Sequence, residues 1–278
     1  MSGPALIILA AGAASRFGAP KQLTPVGPTG DVLFDYAASD ASAAGFDLIV
    51  IVTRSELEPD VESHIRARWP RHIDVRIVCQ DRDQLALAAP GRHKPLGTVH
   101  AALVGIRAAN RSVVGVVNGD DLYGSEPYRL LATHVSGGPP PVATLVTFPV
   151  SKTVIGTEKV TRALCAVRDG RLRAIDEGEV HGTEWTGRSG RRVRLVGDEP
   201  VSMNFWGLAA HIADQFEDLT RGLVDAGGDA EVLLPDVVRS RIADGDRIDA
   251  LAYDGPCIGL THPADLARVR RMVTTPAW

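Results

Sequence analysis

Leu9 to Leu23 reads LAAGAASRFGAPKQL and sets Gly12, Arg16, Gly18 and Lys21 in one turn directly after the apolar run ALIIL. A glycine-rich turn lets backbone amides approach phosphate oxygens closely. A guanidinium at Arg16 can fork across two of those oxygens, and Lys21 adds a mobile point charge. The stretch matches neither GxxxxGK[ST] nor GxGxxG, so it is neither a P-loop nor a dinucleotide fingerprint. A second group follows the apolar run VVGVVN, where Asp120 and Asp121 offer hard oxygen ligands that suit Mg²⁺ rather than zinc. No Ser/His/Asp or Cys/His pattern for a covalent nucleophile is evident. His93 and His100 are given no catalytic role, because positioning and charge neutralisation at a phosphate need no base.

These residues need strands to hold them. Runs rich in β-branched residues recur at LIILA, DLIVIVT, VRIVC, VVGVVN and PVATLVTF, separated by helical patterning, which is the rhythm of a parallel sheet wrapped by helices. Helices are predicted over 31–44, closed by Gly45, over 58–68, and over VHAALVGIRAAN with Thr98 as N-cap. The second half predicts antiparallel hairpins in RALCAVRDGRLRAIDE and RVRLVGDEPVSMNFWGL, and helices over 208–221, 231–242 and 263–272. The chain has 278 residues, 45% of them hydrophobic, enough for a large core. Its net charge of −4 disfavours a nucleic-acid partner. Cys79, Cys165 and Cys257 lack metal or disulfide spacing, which suits a reducing cytoplasm. The N-terminal apolar run is too short to cross a membrane, so no membrane partner is expected.

LAAGAASRFGAPKQL resembles the signature loop LAAGxGxR…PK of nucleotidyltransferases of the sugar-nucleotide pyrophosphorylase (NDP-sugar pyrophosphorylase-like) superfamily, with Ala14 in place of its second glycine. Other landmarks follow in the superfamily's order. HKPLGTVHAAL is similar to its QLGTGHA segment and VVNGDDLYG to its strand-end NGD. RDGRLRAIDE resembles xxGxVxxIxE, VSMNFWGL resembles the NxG turn with Trp206 where glycine is usual, and CIGLTHPADLARV resembles WxDxGTxxDL with Gly259 in place of an aspartate.

The resemblance implies an α/β, Rossmann-like (GT-A-type), mostly parallel sheet flanked by helices, with an antiparallel acceptor-binding part in the second half. It implies one domain over 1–278, in which 1–125 binds an NTP and 126–278 binds a small phosphorylated acceptor. It also implies nucleotidyl transfer to a sugar 1-phosphate or similar phosphorylated polyol, with release of pyrophosphate and with Mg²⁺ as cofactor. Arg16, Lys21 and Asp120 would be catalytic, and Asp120 would hold the metal. Leu9, Ala10, Ala11, Gly12, Gly97, Thr98 and Asp120 would bind the nucleotide, and Glu177, Asn204 and Arg162 the acceptor. Asp121 stays open between metal and helix cap. The base is unread: Arg92 stands where a pyrimidine-reading glutamine is common and could face a purine edge. Relatives of this kind are often dimeric or higher, so a homo-oligomer is expected. Two readings stay open beside this one, cytidylyl transfer to an alditol phosphate or phosphocholine, and a non-catalytic nucleotide sensor.

Overall fold

The computed structural model describes residues 3–12, 21–89, 91–92, 94–138, 141–154, 159–260 and 265–273. The first half alternates strand and helix: β1 (Ala5–Leu9), α1 (Leu33–Ala44), β2 (Leu48–Thr53), α2 (Glu58–Arg68), β3 (Val75–Cys79), α3 (Gln84–Leu87), α4 (Thr98–Ala109), β4 (Val113–Asn118), β5 (Asp121–Leu122) and α5 (Ser125–Ser136). The second half holds β6 (Ala143–Pro149), β7 (Val160–Arg168), β8 (Arg171–His181), β9 (Glu184–Gly187), β10 (Arg192–Arg194), β11 (Pro200–Ala209), α6 (Ile212–Ala226), α7 (Leu234–Ala243), β12 (Ile248–Ala252), β13 (Ile258–Gly259) and α8 (Leu266–Val273).

One sheet runs through both halves, in the order β3-β2-β1-β4-β11-β6-β12-β8-β9-β10, with β7 bridging β11 and β8. β1 is parallel to β2 and β4, β2 to β3, and β12 to β6, whereas β11 runs against β4 and β6. From β3 to β12, β11 is therefore the reversed strand in a sheet otherwise of one direction. The central strands are largely apolar and buried at nearly every position because both faces are covered. Ala5 and Ile7 of β1 pack with Val99 and Leu103 of α4, while Leu6 and Ile8 pack with Phe34 and Ala41 of α1. The fold is the mixed α/β, Rossmann-like class that the strand rhythm indicates.

α1 closes at Gly45 in the left-handed conformation, as the sequence indicates. The hairpin of β7 and β8 also forms, turning through Asp169 at φ 53° and Gly170 at φ 68°, the two left-handed residues a tight hairpin turn needs. The second expected hairpin does not. β10 pairs with β9, and β11 instead enters the centre of the sheet between β4 and β6. Leu208 and Ala209 finish that strand, so α6 starts later than predicted, at Ile212. α7 likewise starts three residues late, at Leu234, and the expected start of α8 at 263 lies outside the described residues.

Asp40 on α1 has no hydrogen-bond or ion-pair partner among the described residues, and burial pushes its carboxyl up to about 6. The folded state thus holds this proton more tightly than the unfolded chain. Stability is undiminished below the unfolded carboxylate range, falls as pH rises towards 6, and carries the full penalty above it. Asp40→Asn is therefore expected to raise Tm at pH 7 to 8 and to leave it unchanged near pH 3.5, which melts at the two pH values check.

Candidate active site

β1 is followed outward by β2 and β3, and the chain then returns to place β4 on the other side of β1. The carboxyl ends of β1 and β4 therefore diverge, and in an open α/β sheet a ligand crevice forms at such a switch point. A cleft of about 460 Å³ lies there. Leu9, Ala11, Gly12, Lys21, Gly97, Thr98, Asp120 and Asn204 line it, so one cavity collects most of the residues singled out in the sequence. Arg16 lies outside the described residues.

Ala10 belongs to the core rather than to the cleft: it is buried, and its amide donates to the Val52 carbonyl at 2.8 Å. Gln22 donates to the Gly12 carbonyl at 2.7 Å and fixes the start of the glycine loop to its far end. One residue earlier, the Lys21 ammonium is paired with the Asp120 carboxylate across the cleft floor. Asp120 lies two residues past the end of β4, and its carbonyl accepts from the Leu260 amide at 2.8 Å.

Asp121 points the other way. It is buried, Asn118 Nδ2 donates to its Oδ2 at 2.8 Å, and the Tyr123 hydroxyl lies 3.1 Å from the same oxygen. Burial, with Asp120 adding repulsion, pushes its carboxyl up to about 6. Its backbone pairs with Gly259, so the segment without the usual aspartate forms a two-strand clip beneath the carboxylates. Asp121 is thus a buried support beside Asp120, outside the cleft lining.

The N-cap of α4 is Gly97, not Thr98. The Thr98 hydroxyl instead accepts from the Leu234 amide at 3.0 Å and so caps α7. Gly97 sits at φ 101°, and a Cβ there would meet the Val232 carbonyl oxygen at 2.3 Å. The Val232 amide donates to the Leu96 carbonyl and the Val232 carbonyl accepts from the Val99 amide, each at 3.2 Å, which joins the segment before α7 to the wall of the cleft. Gly97→Ala is expected to cost about 2–4 kcal/mol, from a strained backbone plus overpacking, and to lower Tm in a thermal melt.

Asn204 stands at the irregularity of β11 between Ser202 and Trp206, at φ 57°, a region that asparagine tolerates better than most residues. The buried Trp206 indole donates to Asn204 Oδ1 at 3.2 Å. This fixes the amide so that its Nδ2 faces Asn118 Oδ1 at 3.5 Å. Trp206 in place of a glycine is therefore what orients the asparagine.

The structure does not bring Glu177 or Arg162 into the cleft. Glu177 pairs across the sheet with Ala163, two strands from Ser202 of β11, or roughly 10 Å. Its carboxylate is ion-paired with Arg188. The Arg162 guanidinium donates to Thr153 Oγ1 at 3.1 Å, to the Thr161 carbonyl at 2.7 Å and to the Thr153 carbonyl. Both side chains have the chemistry for a ligand, but partners inside the protein already engage them. Arg92 is likewise unavailable to a base. Its guanidinium donates to the carbonyls of Lys94 at 2.8 Å, Gly228 at 2.5 Å, Pro95 at 3.2 Å and Ala230, and ties residues 228–230 to the loop before α4.

Five polar residues that the sequence did not single out also line the cleft: Gln22, Gln80, Lys94, Asn118 and Glu231. Gln80 and Asn118 stand at the carboxyl ends of β3 and β4, which is the signal that would have found them. Lys94 lies three residues before Gly97. Glu231 reaches the cleft because it precedes α7 instead of belonging to it.

For Mg²⁺ the donor set fits in one specific way. Among the described residues no group of three or more His, Cys, Asp or Glu could hold a metal. One carboxylate at Asp120, half-open to the cleft and already faced by a cation, matches an ion that takes one or two protein oxygens and completes its shell from phosphates and water.

The family of MobA-like NTP transferase domains matches residues 6–181, which is 176 of the 278 residues. No curated protein matches the chain. Solved structures share its fold over the whole length at low identity. The inositol-1-phosphate CTP transferase of T. maritima is 12% identical, with a TM-score of 0.70 over 100% of this chain and 99% of that one. A Bacillus anthracis protein assigned as a glucose-1-phosphate thymidylyltransferase, in complex with a sucrose, is 14% identical, with a TM-score of 0.71 over 99% and 96%. HddC from Yersinia pseudotuberculosis is 14% identical, with a TM-score of 0.60 over 97% and 99%. Among the described residues no helix is long and apolar enough to cross a membrane. The family match extends from β1 through the Lys21–Asp120 pair into β8, and the chain belongs to the MobA-like NTP transferase domain family, as an enzyme of the nucleotidyltransferase class.

Proposed function

We propose that the chain, working as one catalytic unit over 1–278, transfers a nucleotidyl group from an NTP to a sugar 1-phosphate or similar phosphorylated polyol and releases pyrophosphate. The observation that carries this reading is the meeting of Lys21 and Asp120 on the floor of the switch-point cleft, with Gly97 and Thr98 on one wall and Asn204 on another.

In this reaction an oxygen of the acceptor phosphate attacks the α-phosphorus as the bond to the β-phosphate breaks, and pyrophosphate leaves in line. The protein need only orient the two phosphates and neutralise charge. Gly12 and its neighbours cradle the triphosphate, and Lys21 sits where charge builds on the leaving group. Gly97 and Thr98 flank the base at the start of α4, and Gln80 and Lys94 lie on the same wall. Asn204 holds a hydroxyl of the acceptor from the opposite side. Asp120 would hold Mg²⁺, which when bound would supply positive charge that offsets the negative charge of the reacting phosphates.

The test is pyrophosphate release over a grid of the four NTPs against a panel of phosphorylated acceptors. Sugar 1-phosphates belong in the panel, as do inositol 1-phosphate, an alditol phosphate and phosphocholine. Turnover with a sugar 1-phosphate or inositol 1-phosphate is the expected result. Turnover confined to an alditol phosphate or phosphocholine with CTP would replace the acceptor class. NTP binding without turnover across the grid would reduce the chain to a nucleotide sensor.

A further inference from the structure

The chain between α6 and α7 reaches the cleft in extended form. Leu233 has φ −109° and ψ 148°, and Val232 is bonded through its amide to Leu96 and through its carbonyl to Val99. Side chains of an extended segment point alternately to its two sides. Val232 packs against the core that contains Val99 and Leu103 of α4, whereas Glu231 and Leu233 both line the cleft. The register of the segment therefore sets Glu231 towards the cleft.

Arg92 holds the segment to that wall. Its guanidinium donates to the carbonyls of Gly228 and Ala230 in the segment, and also to those of Lys94 and Pro95 before α4. A planar fork of five N–H donors can join two stretches of chain in this way, which a single ammonium cannot. Two carboxylates line the cleft among the described residues, Asp120 and Glu231. Asp120 is paired with Lys21, whereas Glu231 is exposed and has no hydrogen bond or ion pair with a described residue. An ionised carboxylate can only accept hydrogen bonds, and it repels phosphate. It suits the part of a ligand that carries O–H donors. Both substrates of nucleotidyl transfer to a polyol phosphate have such a part, the ribose of one and the ring of the other.

We propose that Glu231 is a specificity-determining residue that accepts a hydrogen bond from a hydroxyl of the bound polyol, and that Arg92 is the positioning residue that holds it there. This rests on the transfer reading of the cleft and deepens it. Asn204 meets a hydroxyl from a strand of the sheet, whereas Glu231 does so from a segment that depends on Arg92 for its place.

The test is a hydroxyl-deletion series on the full-length protein. kcat/KM is measured for the best NTP and acceptor pair of the grid, for the 2′-deoxy and 3′-deoxy forms of that NTP, and for acceptors that lack one ring hydroxyl at a time. In the parent protein, removing the hydroxyl that Glu231 meets is expected to lower kcat/KM roughly 10- to 100-fold, in line with loss of one hydrogen bond to a charged group. In Glu231→Ala that one deletion is expected to cost no more than about twofold, while the others keep their parent cost. Which deletion collapses assigns the hydroxyl to the ribose or to the acceptor. Glu231 is exposed and unpaired among the described residues, so Glu231→Ala is expected to keep the parent Tm. Arg92→Met and Arg92→Lys are expected to lose the same discrimination and no other, a pattern that a general weakening of the fold would not produce. Parent costs for every deletion in Glu231→Ala would overturn the inference alone, and a folded Arg92→Met protein with the parent pattern would overturn the part given to Arg92. No turnover anywhere in the grid would overturn the transfer reading and this inference with it.

Discussion

Asp120→Ala is expected to stop nucleotidyl transfer, by at least about 10³-fold in kcat, while the protein stays folded. Metal stabilisation of charge at a transferring phosphoryl group is worth several kcal/mol, and in the proposed reaction Asp120, paired with Lys21 on the cleft floor, is the carboxylate that would anchor the metal. The side chain does little for the fold. It is 25% exposed, and the neighbouring backbone contact, Leu260 amide to Asp120 carbonyl, does not depend on it. Losing the ion pair with Lys21 costs at most about 1 kcal/mol at such exposure. Circular dichroism and Tm should therefore match the parent while pyrophosphate release disappears. Near-normal turnover in folded Asp120→Ala would remove Asp120 from the mechanism. Since no cluster of three potential ligands occurs among the described residues, Mg²⁺ titrated into the free protein should bind weakly and tighten when NTP is added. Calorimetry that found tight Mg²⁺ binding without NTP would contradict this.

Lys21 and Asp120 were legible because one closes the loop that leaves β1 and the other lies just past β4, and strands buried on both faces read as largely apolar runs. β1, β2 and β4 declared themselves this way, whereas β3, an edge strand with an exposed Arg76, was marked by its β-branched residues. β11 is buried almost throughout as well, but burial does not name a strand's partner. It was read as a hairpin with 192–194 because that segment is near in sequence, whereas its neighbours β4 and β6 lie more than 50 residues earlier. The start of α6 was misplaced for the same reason, since Leu208 and Ala209 fit a buried strand and a helix face equally well.

The acceptor side of the site was the least legible. Glu177 and Arg162 have side chains that suit a sugar phosphate, and what withdraws them is local: Arg188 for one, and Thr153 and Thr161 for the other. Composition cannot show that a charged group is already engaged. Gln80 failed in the opposite way. A single glutamine after a strand carries no spacing pattern, and its place on the cleft wall is fixed by bonds to His100 and Gly97, which only the fold of α4 against β3 brings together. Asn204 was readable as a polar residue among Met203, Phe205 and Trp206. That Trp206 aims it was not.

Lys21→Ala is expected to lower kcat by on the order of 10²–10³ with every acceptor alike, as removal of one preorganised transition-state donor typically does. The ammonium lies on the cleft floor at a side-chain exposure of 20%, and the short turn that carries it is tied back to Gly12 by Gln22. It is therefore already in place when charge develops on the departing pyrophosphate, and needs little reorganisation to meet it. A rival account would make Lys21 only a stand-in for the metal at Asp120 when no nucleotide is bound. The two accounts differ in sign. If Lys21 merely competes at Asp120, its removal should tighten Mg²⁺ and leave kcat intact or raised. If it neutralises the leaving group, kcat should fall and saturating Mg²⁺ should not restore it, because the missing charge is at the far phosphates. Asn204→Ala supplies the contrast. A lost hydrogen bond to an acceptor hydroxyl costs about 1–3 kcal/mol, felt by acceptors that present that hydroxyl and not by those that lack it. Kinetics of both variants with two acceptors that differ at one hydroxyl would separate the roles: a uniform loss for Lys21→Ala and a selective one for Asn204→Ala are expected. An unchanged kcat in Lys21→Ala would leave the cation at the end of LAAGAASRFGAPKQL without a part in the chemistry.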